Sequence, residues 1–561
     1  MIRTFSTHKI RKTQELSDGL WDFHTLPSVG EGICKKIIVP GCWENEPGLP
    51  GYRGQACYER SFQGGENVRL EFKGVSHTAK VLLDEAVIAE HYNACTPFST
   101  VVKALPEGEH HLKVYVDNSF HEQSALHVPN DYQTYGGITR PVVLEFLPDS
   151  YLAGLHITPI FRDNSWYLIL EATLVNLADA AFDGSIAFAL ADKELLRISV
   201  HLESQETLCQ RTEEILCPDV IAWSPAEPKL YEITAKLLNK QGDTIDDLID
   251  RTGFREIQIA GKEILLNREK IQIRGICRHE DHPHFGCAIP YTAMYEDLAL
   301  IQDLGANSVR TSHYPNDERF LDLCDELGLL VWEENHARGL SEEAMRNPFF
   351  EEQCEACIQE MIEAHYNHPS IYIWGILNEC ASHTEYGREC YKKQFELIRK
   401  MDQTRPCSFA SCQFQTDICF DLPDVVSYNI YPLWYHDTPA AEYLAELYNW
   451  IQTETGGTGK PFLISETGAG AIYGYRTPSR VKWSEEYQAY ALEQQLTAIL
   501  SQEGCSGVYI WQFCDGRVCD SWFSVRPRTM NNKGVFDEYR RPKLSAEVVK
   551  RIFTSKHEDT F

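Results

Sequence analysis

Along the first 150 residues, short runs alternate apolar and polar positions: VRLEFKG, TAKVLLDEAVIAEH, HHLKVYVDN and PVVLEFL, with Gly and Pro between them. Alternation at period two turns one strand face to a core and the other to water. It predicts an antiparallel β-sandwich over residues 1–150. Residues 151–255 keep the rhythm in WYLILEATLVN, GSIAFALA, RISVHLES and YEITAKLLN. That length suits a second, immunoglobulin-like sandwich. After Phe254 the pattern changes. Eight nearly continuous apolar runs appear: IQIRGICRHE, SVRTSH, LLVWEEN, IYIWGILNE, PCSFASC, VVSYNIYP, PFLISETG and GVYIWQFCD. Most are followed by an amphipathic stretch such as DERFLDLCDELG. Apolar strands joined by helices mean a parallel sheet covered on both faces. Eight such units over residues 256–561 predict a (β/α)8 TIM barrel, although the unit after PCSFASC lacks a clear helix.

A barrel gathers the C-terminal ends of its strands around one pocket. Glu379 ends the fourth run and Glu466 the seventh. Two carboxyl groups about 5–5.5 Å apart can act as acid/base and nucleophile on a glycoside with retention of configuration. Either glutamate alone reads equally well as a solvated or capping acid; the pair, at matching strand ends, points to chemistry. Asn378 precedes the first glutamate and could donate its amide to a sugar 2-hydroxyl. Trp374 and Trp511 could wall such a pocket or simply pack the core, with Trp511 better placed for a sugar face.

Composition narrows the partners. The chain has 561 residues, 43% hydrophobic and 24% charged, which is ordinary for a globular protein. Its formal net charge of −30 opposes nucleic acid and anionic membranes. No signal-like apolar core opens the chain and no run of membrane-spanning length occurs. Nineteen cysteines follow no disulfide framework, so reduced thiols in a cytoplasmic setting are expected. Cys354 and Cys357 form a CxxC, but they fall on the apolar face of a helical pattern and read as core thiols. His279, His282 and His284 in HEDHPH offer metal-ligand types; retaining glycosidase chemistry needs no metal, and no cofactor is expected.

An anionic substrate would need a local basic cluster to overcome the global charge. MNNKG supplies one candidate. In an extended segment positions two apart share a face, so Asn531 and Lys533 would point together and could pair with a sugar carboxylate. Arg526 and Arg528 lie just upstream with the same spacing. Cations in a loop are usually solvated; their place after the last barrel strand favours function.

The motifs together resemble glycoside hydrolase family 2. The resemblance rests on GILNE after the fourth strand, RTSHYP on the second, ISE on the seventh, and Phe254–Arg255 ahead of an IRG…HE strand. PGCWE (40–44) and YGGITRPV (135–142) extend it to the start of the chain. It implies a jelly-roll sugar-binding domain over residues 1–150, Glu379 as acid/base and Glu466 as nucleophile. Asn-x-Lys-Gly, here Asn531 to Gly534, resembles the β-glucuronidase pattern and implies an exo-acting β-uronidase. Asp131 resembles an aspartate that reaches sugar hydroxyls. Tyr431 and Tyr435 resemble pocket tyrosines, one of which could hydrogen-bond the nucleophile, though packing at a strand end explains them equally. His313 could shape the pocket or satisfy core polar groups. A homo-oligomer is implied by the resemblance alone.

The chain also departs from that pattern. Glu466–Thr467–Gly468 replaces Glu-Tyr-Gly, and PLWY replaces a YGWY-like run. Arg338 stands where a small or apolar residue is expected. A guanidinium there needs a partner: Glu333 or Glu334, or the substrate. If it reads the C4 position of the sugar, a β-galacturonidase is slightly favoured over a β-glucuronidase. The short stretch between Gly339 and Phe349 implies an open site that tolerates a bulky leaving group. Two rivals remain: a family 2 β-galactosidase acting on a neutral sugar, and a non-catalytic carbohydrate-binding protein.

Overall fold

The computed structural model describes residues 1–28, 30–519 and 526–555. The N-terminal region is built on an antiparallel sheet whose longest pair, Gln55–Phe72 and Phe98–Asp117, runs side by side over most of its length. Its inner face buries Trp21, Tyr58, Leu70, Leu112 and Val114. Residues 118–136 then leave the sheet and run across to the barrel. The Ala125 amide donates to Gln353 Oε1 at 3.0 Å, and the Asn130 amide to Cys519 Sγ at 3.1 Å.

Two further antiparallel sheets follow, one led by Ser150–Arg162 and Ser165–Asn176, the other by Phe182–Leu190 and Tyr231–Asn239. Burial alternates without a break along Ser165–Asn176, as its period-two sequence requires. Leu168, Leu170, Ile186, Phe188 and Ile233 form the shared core.

The catalytic-sized unit is a closed parallel barrel of eight strands: β1 (Ile273–Cys277), β2 (Ser308–Thr311), β3 (Leu330–Glu334), β4 (Ile371–Ile376), β5 (Cys407–Ser411), β6 (Val426–Asn429), β7 (Phe462–Thr467) and β8 (Cys505–Ile510). Each coincides with one of the eight apolar runs, and no helix lies between β5 and β6 among the described residues. A hairpin ahead of β1, Ile257–Ala260 and Glu263–Leu266, was not distinguished in the sequence. Its Ile264 and Leu266, with Trp223 from the preceding sandwich, join Trp332, Tyr372 and Tyr509 in one cluster. Cys354 and Cys357 are buried in the layer between strands and helices. Trp374 belongs to that layer too; its indole donates to Asp402 Oδ2 at 2.8 Å, so it does not wall the pocket. No described helix is long and apolar enough to cross a membrane.

Candidate active site

The strand ends deliver a charged network to the floor of a cleft. Arg310, in the middle of β2, is fully buried. An arginine inside an apolar strand must meet its charge locally, and this one does so three times. It grips Glu334 on β3 with two bonds of 3.0 Å, donates to Glu466 Oε1 at 2.9 Å, and donates to Asn378 Oδ1 at 2.8 Å. Asn429, at the end of β6, donates its amide to Asn378 Oδ1 (3.2 Å) and to Glu379 Oε1 (2.9 Å). The two predicted catalytic glutamates are therefore held by one continuous set of hydrogen bonds. Glu379 stands three residues past β4 with φ of 53°, a strained backbone for a non-glycine residue, pinned by its amide bond to Ala410 O at 2.8 Å.

Glu466 also accepts from the Tyr431 hydroxyl at 2.6 Å. Burial pushes its carboxyl up to about 7; the Arg310 guanidinium opposes this and the neighbouring Glu379 adds to it. One guanidinium faces both Glu334 and Glu466, so the floor is short of positive charge. The amide nitrogen of Asn378 is buried without a hydrogen-bond partner, although Asn378 is not among the residues lining the cleft. Trp511 lines the cleft and is backed by the His313 ring, stacked at 5.0 Å; His313 Nδ1 lies 2.9 Å from Glu334 Oε1. His313 thus supports the wall rather than lining it.

Above the floor, residues from three distant segments form a rim. Asp131, on the crossing loop, meets Arg526 (3.0 Å), Asn531 (3.3 Å) and Arg338 (3.4 Å). Burial alone would raise its carboxyl, but these cations hold it below the usual range. Arg338 lies between Asp131 and Glu379, 3.4 Å from each, and donates to Asn130 Oδ1 at 2.9 Å. Its expected partners are taken elsewhere: Glu334 pairs with Arg310, and Glu333 with His365 at 3.0 Å. Lys533 is 3% exposed and lines the cleft. It donates to the Tyr435 hydroxyl at 2.8 Å, and among the described residues it forms no ion pair. Burial pushes its ammonium below the ordinary lysine value.

The cleft of about 580 Å³ gathers Asp131, Arg338, Glu379, Glu466, Trp511 and Lys533, with Tyr431 and Tyr435. Asn378, His313, Asn531 and Arg528 are not among its lining residues, and Arg528 is the most remote in its contacts. It pairs with Glu538 at 2.8 Å, half-exposed and outside the cleft, while Arg526 lines it. The segment is a tight turn rather than an extended strand: Arg528 and Thr529 both have φ of 58°, so positions 526 and 528 do not share a face. Asn531 donates to Asp131 and, unlike Lys533, is not among the cleft-lining residues; its Oδ1 is buried and unpartnered. His279 stacks on Tyr132 at 4.9 Å, and His282 on Phe285 at 4.6 Å. Arg310 and Asn429 were missed as site residues. Their signals were a charge within SVRTSH and an amide at the end of the sixth run.

Two family models match the chain: "Glycosyl hydrolases family 2" over residues 150–255 and "Glycosyl hydrolases family 2, TIM barrel domain" over residues 257–557. A crystal structure of a β-galacturonidase of this family from Eisenbergiella tayi, bound to galacturonate, is 63% identical, covers 99% of both chains and superposes with a TM-score of 0.97. A β-glucuronidase of Streptococcus agalactiae is 27% identical over 98% of this chain and 97% of its own length. A β-galactosidase of Thermoanaerobacter pseudethanolicus is 29% identical over 67% of this chain and 51% of its own. The chain is a glycoside hydrolase and belongs to glycosyl hydrolase family 2.

Proposed function

We propose that the protein is a retaining exo-β-uronidase that releases a terminal β-D-hexuronic acid, galacturonate ahead of glucuronate. The observation that carries this is Lys533: a buried ammonium opening onto the cleft, hydrogen-bonded to a phenol and without a carboxylate partner among the described residues. Such a group is costly to bury alone, and a substrate carboxylate would restore its charge balance. Arg526 and Arg338 add positive potential on the same side. The 63% identical galacturonate-bound neighbour supports the same substrate class.

The chemistry follows from the floor. Glu379 gives its proton to the glycosidic oxygen as the bond to the anomeric carbon breaks. Glu466, oriented by Arg310 and the Tyr431 hydroxyl, attacks that carbon and forms a glycosyl-enzyme. Glu379, now a carboxylate, takes a proton from water, whose oxygen displaces Glu466 and releases the β-anomer. The free Asn378 amide suits the 2-hydroxyl, where a hydrogen bond strengthens in the transition state. Asp131 suits the remaining hydroxyls. Arg338, between Asp131 and Glu379, suits the C4 hydroxyl that separates the two epimers. Nineteen cysteines in no framework support a reducing, cytoplasmic setting. Assembly into a homo-oligomer is carried over from the family and is checked by light scattering.

Turnover of p-nitrophenyl β-D-galacturonide, β-D-glucuronide and β-D-galactoside by the purified protein tests the proposal, with proton NMR of the first-formed anomer. Uronide turnover with initial release of the β-anomer is expected. Turnover of galactoside alone would favour the neutral-sugar rival, and turnover of none would favour a binding protein.

A further inference from the structure

The cleft has two halves of different chemistry. Among the described residues its three cations, Arg338, Arg526 and Lys533, all act on Asp131 and make up one half with it. The other half is formed by the segments after β5 and β6. Its wall is Phe414, Tyr443 and His436, with Gln413 and Thr416 at its edge. The Tyr443 and His436 rings stack at 5.6 Å and 15°, and Phe414 lies 5.9 Å from Tyr443. Phe414 is fixed from behind by an edge contact to Trp450 at 5.4 Å. Among the described residues lining this half there is no lysine or arginine. Just outside it, Asp437 follows His436 and pairs with Lys482 at 3.8 Å, while burial, and after it Glu446, raises the Tyr443 hydroxyl.

Glu379 stands where the halves meet, with Arg338 on one side and the Cys412–Phe414 segment on the other. A leaving group protonated by Glu379 would therefore rest on the aromatic wall. Aromatic faces take the apolar face of a sugar or an aryl ring. A carboxylate placed there would lose water, find no lysine or arginine among the described lining residues of that half, and meet the −30 charge of the chain.

We propose that this outer half is a leaving-group subsite for an uncharged ring, so that the enzyme removes a uronate capping a neutral sugar or aryl group and disfavours a uronate linked to a second uronate. This rests on the uronidase reading of the inner half.

The test compares kcat/KM for four substrates of the preferred epimer: the β-uronosyl fluoride, the p-nitrophenyl β-uronide, a β-uronosyl-(1→4)-hexose and a β-uronosyl-(1→4)-uronate. The fluoride, which has no ring to place, reads the inner half alone. The hexose and aryl substrates should be turned over about 100-fold better than the uronosyl-uronate, the scale of an unmatched charge at a contact. Phe414→Ala should cut the ring-bearing substrates about tenfold and leave the fluoride unchanged. Thr416→Lys, at an exposed position, should improve the uronosyl-uronate relative to the hexose. The hexose against the uronosyl-uronate decides, because both leave as sugar hydroxyls; the aryl substrate, whose phenolate leaves more readily, serves with the fluoride to read Phe414→Ala. Equal or better turnover of the uronosyl-uronate by the unaltered enzyme overturns it, as does a loss on Phe414→Ala that is the same for the fluoride. If the fluoride itself is not turned over, the uronidase reading fails and this one falls with it.

Discussion

The floor and the rim of the cleft are built on different plans. The floor comes from one element type: the ends of neighbouring barrel strands bring Arg310, Glu334, Asn378, Glu379, Asn429 and Glu466 together, and nearly every polar atom there has a partner. The rim is assembled from the crossing loop (Asp131), the segment after β3 (Arg338) and the segment after β8 (Arg526, Asn531, Lys533). Its groups are less satisfied: Arg338 Nε, Arg526 Nε and Asn531 Oδ1 are buried without hydrogen bonds. Satisfied networks pre-organise chemistry and do not depend on which sugar is present. Unsatisfied groups held in place wait for a ligand. The contrast fits the proposed mechanism, with bond cleavage at the floor and choice of sugar at the rim.

The largest effect belongs to the floor. Glu466→Gln keeps the shape but removes the nucleophile, and should lower kcat on the order of 10⁴-fold or more for every substrate. A loss confined to uronides would move Glu466 to the rim. Next comes Lys533→Ala, which should lower kcat/KM for uronides about 10²- to 10³-fold, as expected when one partner of a buried charge pair is removed. Arg338→Ala should change the galacturonide to glucuronide ratio about 10- to 100-fold, the worth of a hydrogen bond to a charged group. It should leave the melting temperature much less affected. Equal losses for both epimers would remove Arg338 from the C4 assignment.

The strands were legible because barrel strands are apolar throughout, and the two glutamates because each closes such a run. The rim was legible in residue types but not in geometry. Arg526 and Arg528 are equivalent as sequence; only the positive φ at Arg528 and Thr529 sends one into the cleft and the other to Glu538. The partner of Arg338 could not be read locally, because Asp131 lies 207 positions earlier in a loop that the first sandwich carries across. Arg310 was legible in principle: a charge within an apolar strand has to be paid for by neighbours.

The smallest predicted effect sharpens the floor. In the proposed mechanism Glu466 must be ionised to attack, and its carboxyl is pushed up to about 7 by burial. Protonation below that value removes the nucleophile, so kcat/KM should fall on the acid side with a midpoint near 7. Tyr431→Phe deletes a donor to the anion. It should slow turnover about fivefold, the worth of one hydrogen bond, and move the acid limb to higher pH. A slower enzyme with an unmoved limb would mean that Tyr431 acts elsewhere.

The division between floor and rim is tested most directly by one ratio: kcat/KM for the preferred p-nitrophenyl uronide over that for the galactoside, measured in the unaltered enzyme and in Lys533→Ala. The account predicts that the ratio collapses by about 100-fold or more while galactoside turnover stays within a few-fold of its starting value. A Lys533→Ala enzyme that loses both substrates equally would contradict it, placing Lys533 with the chemistry rather than with recognition.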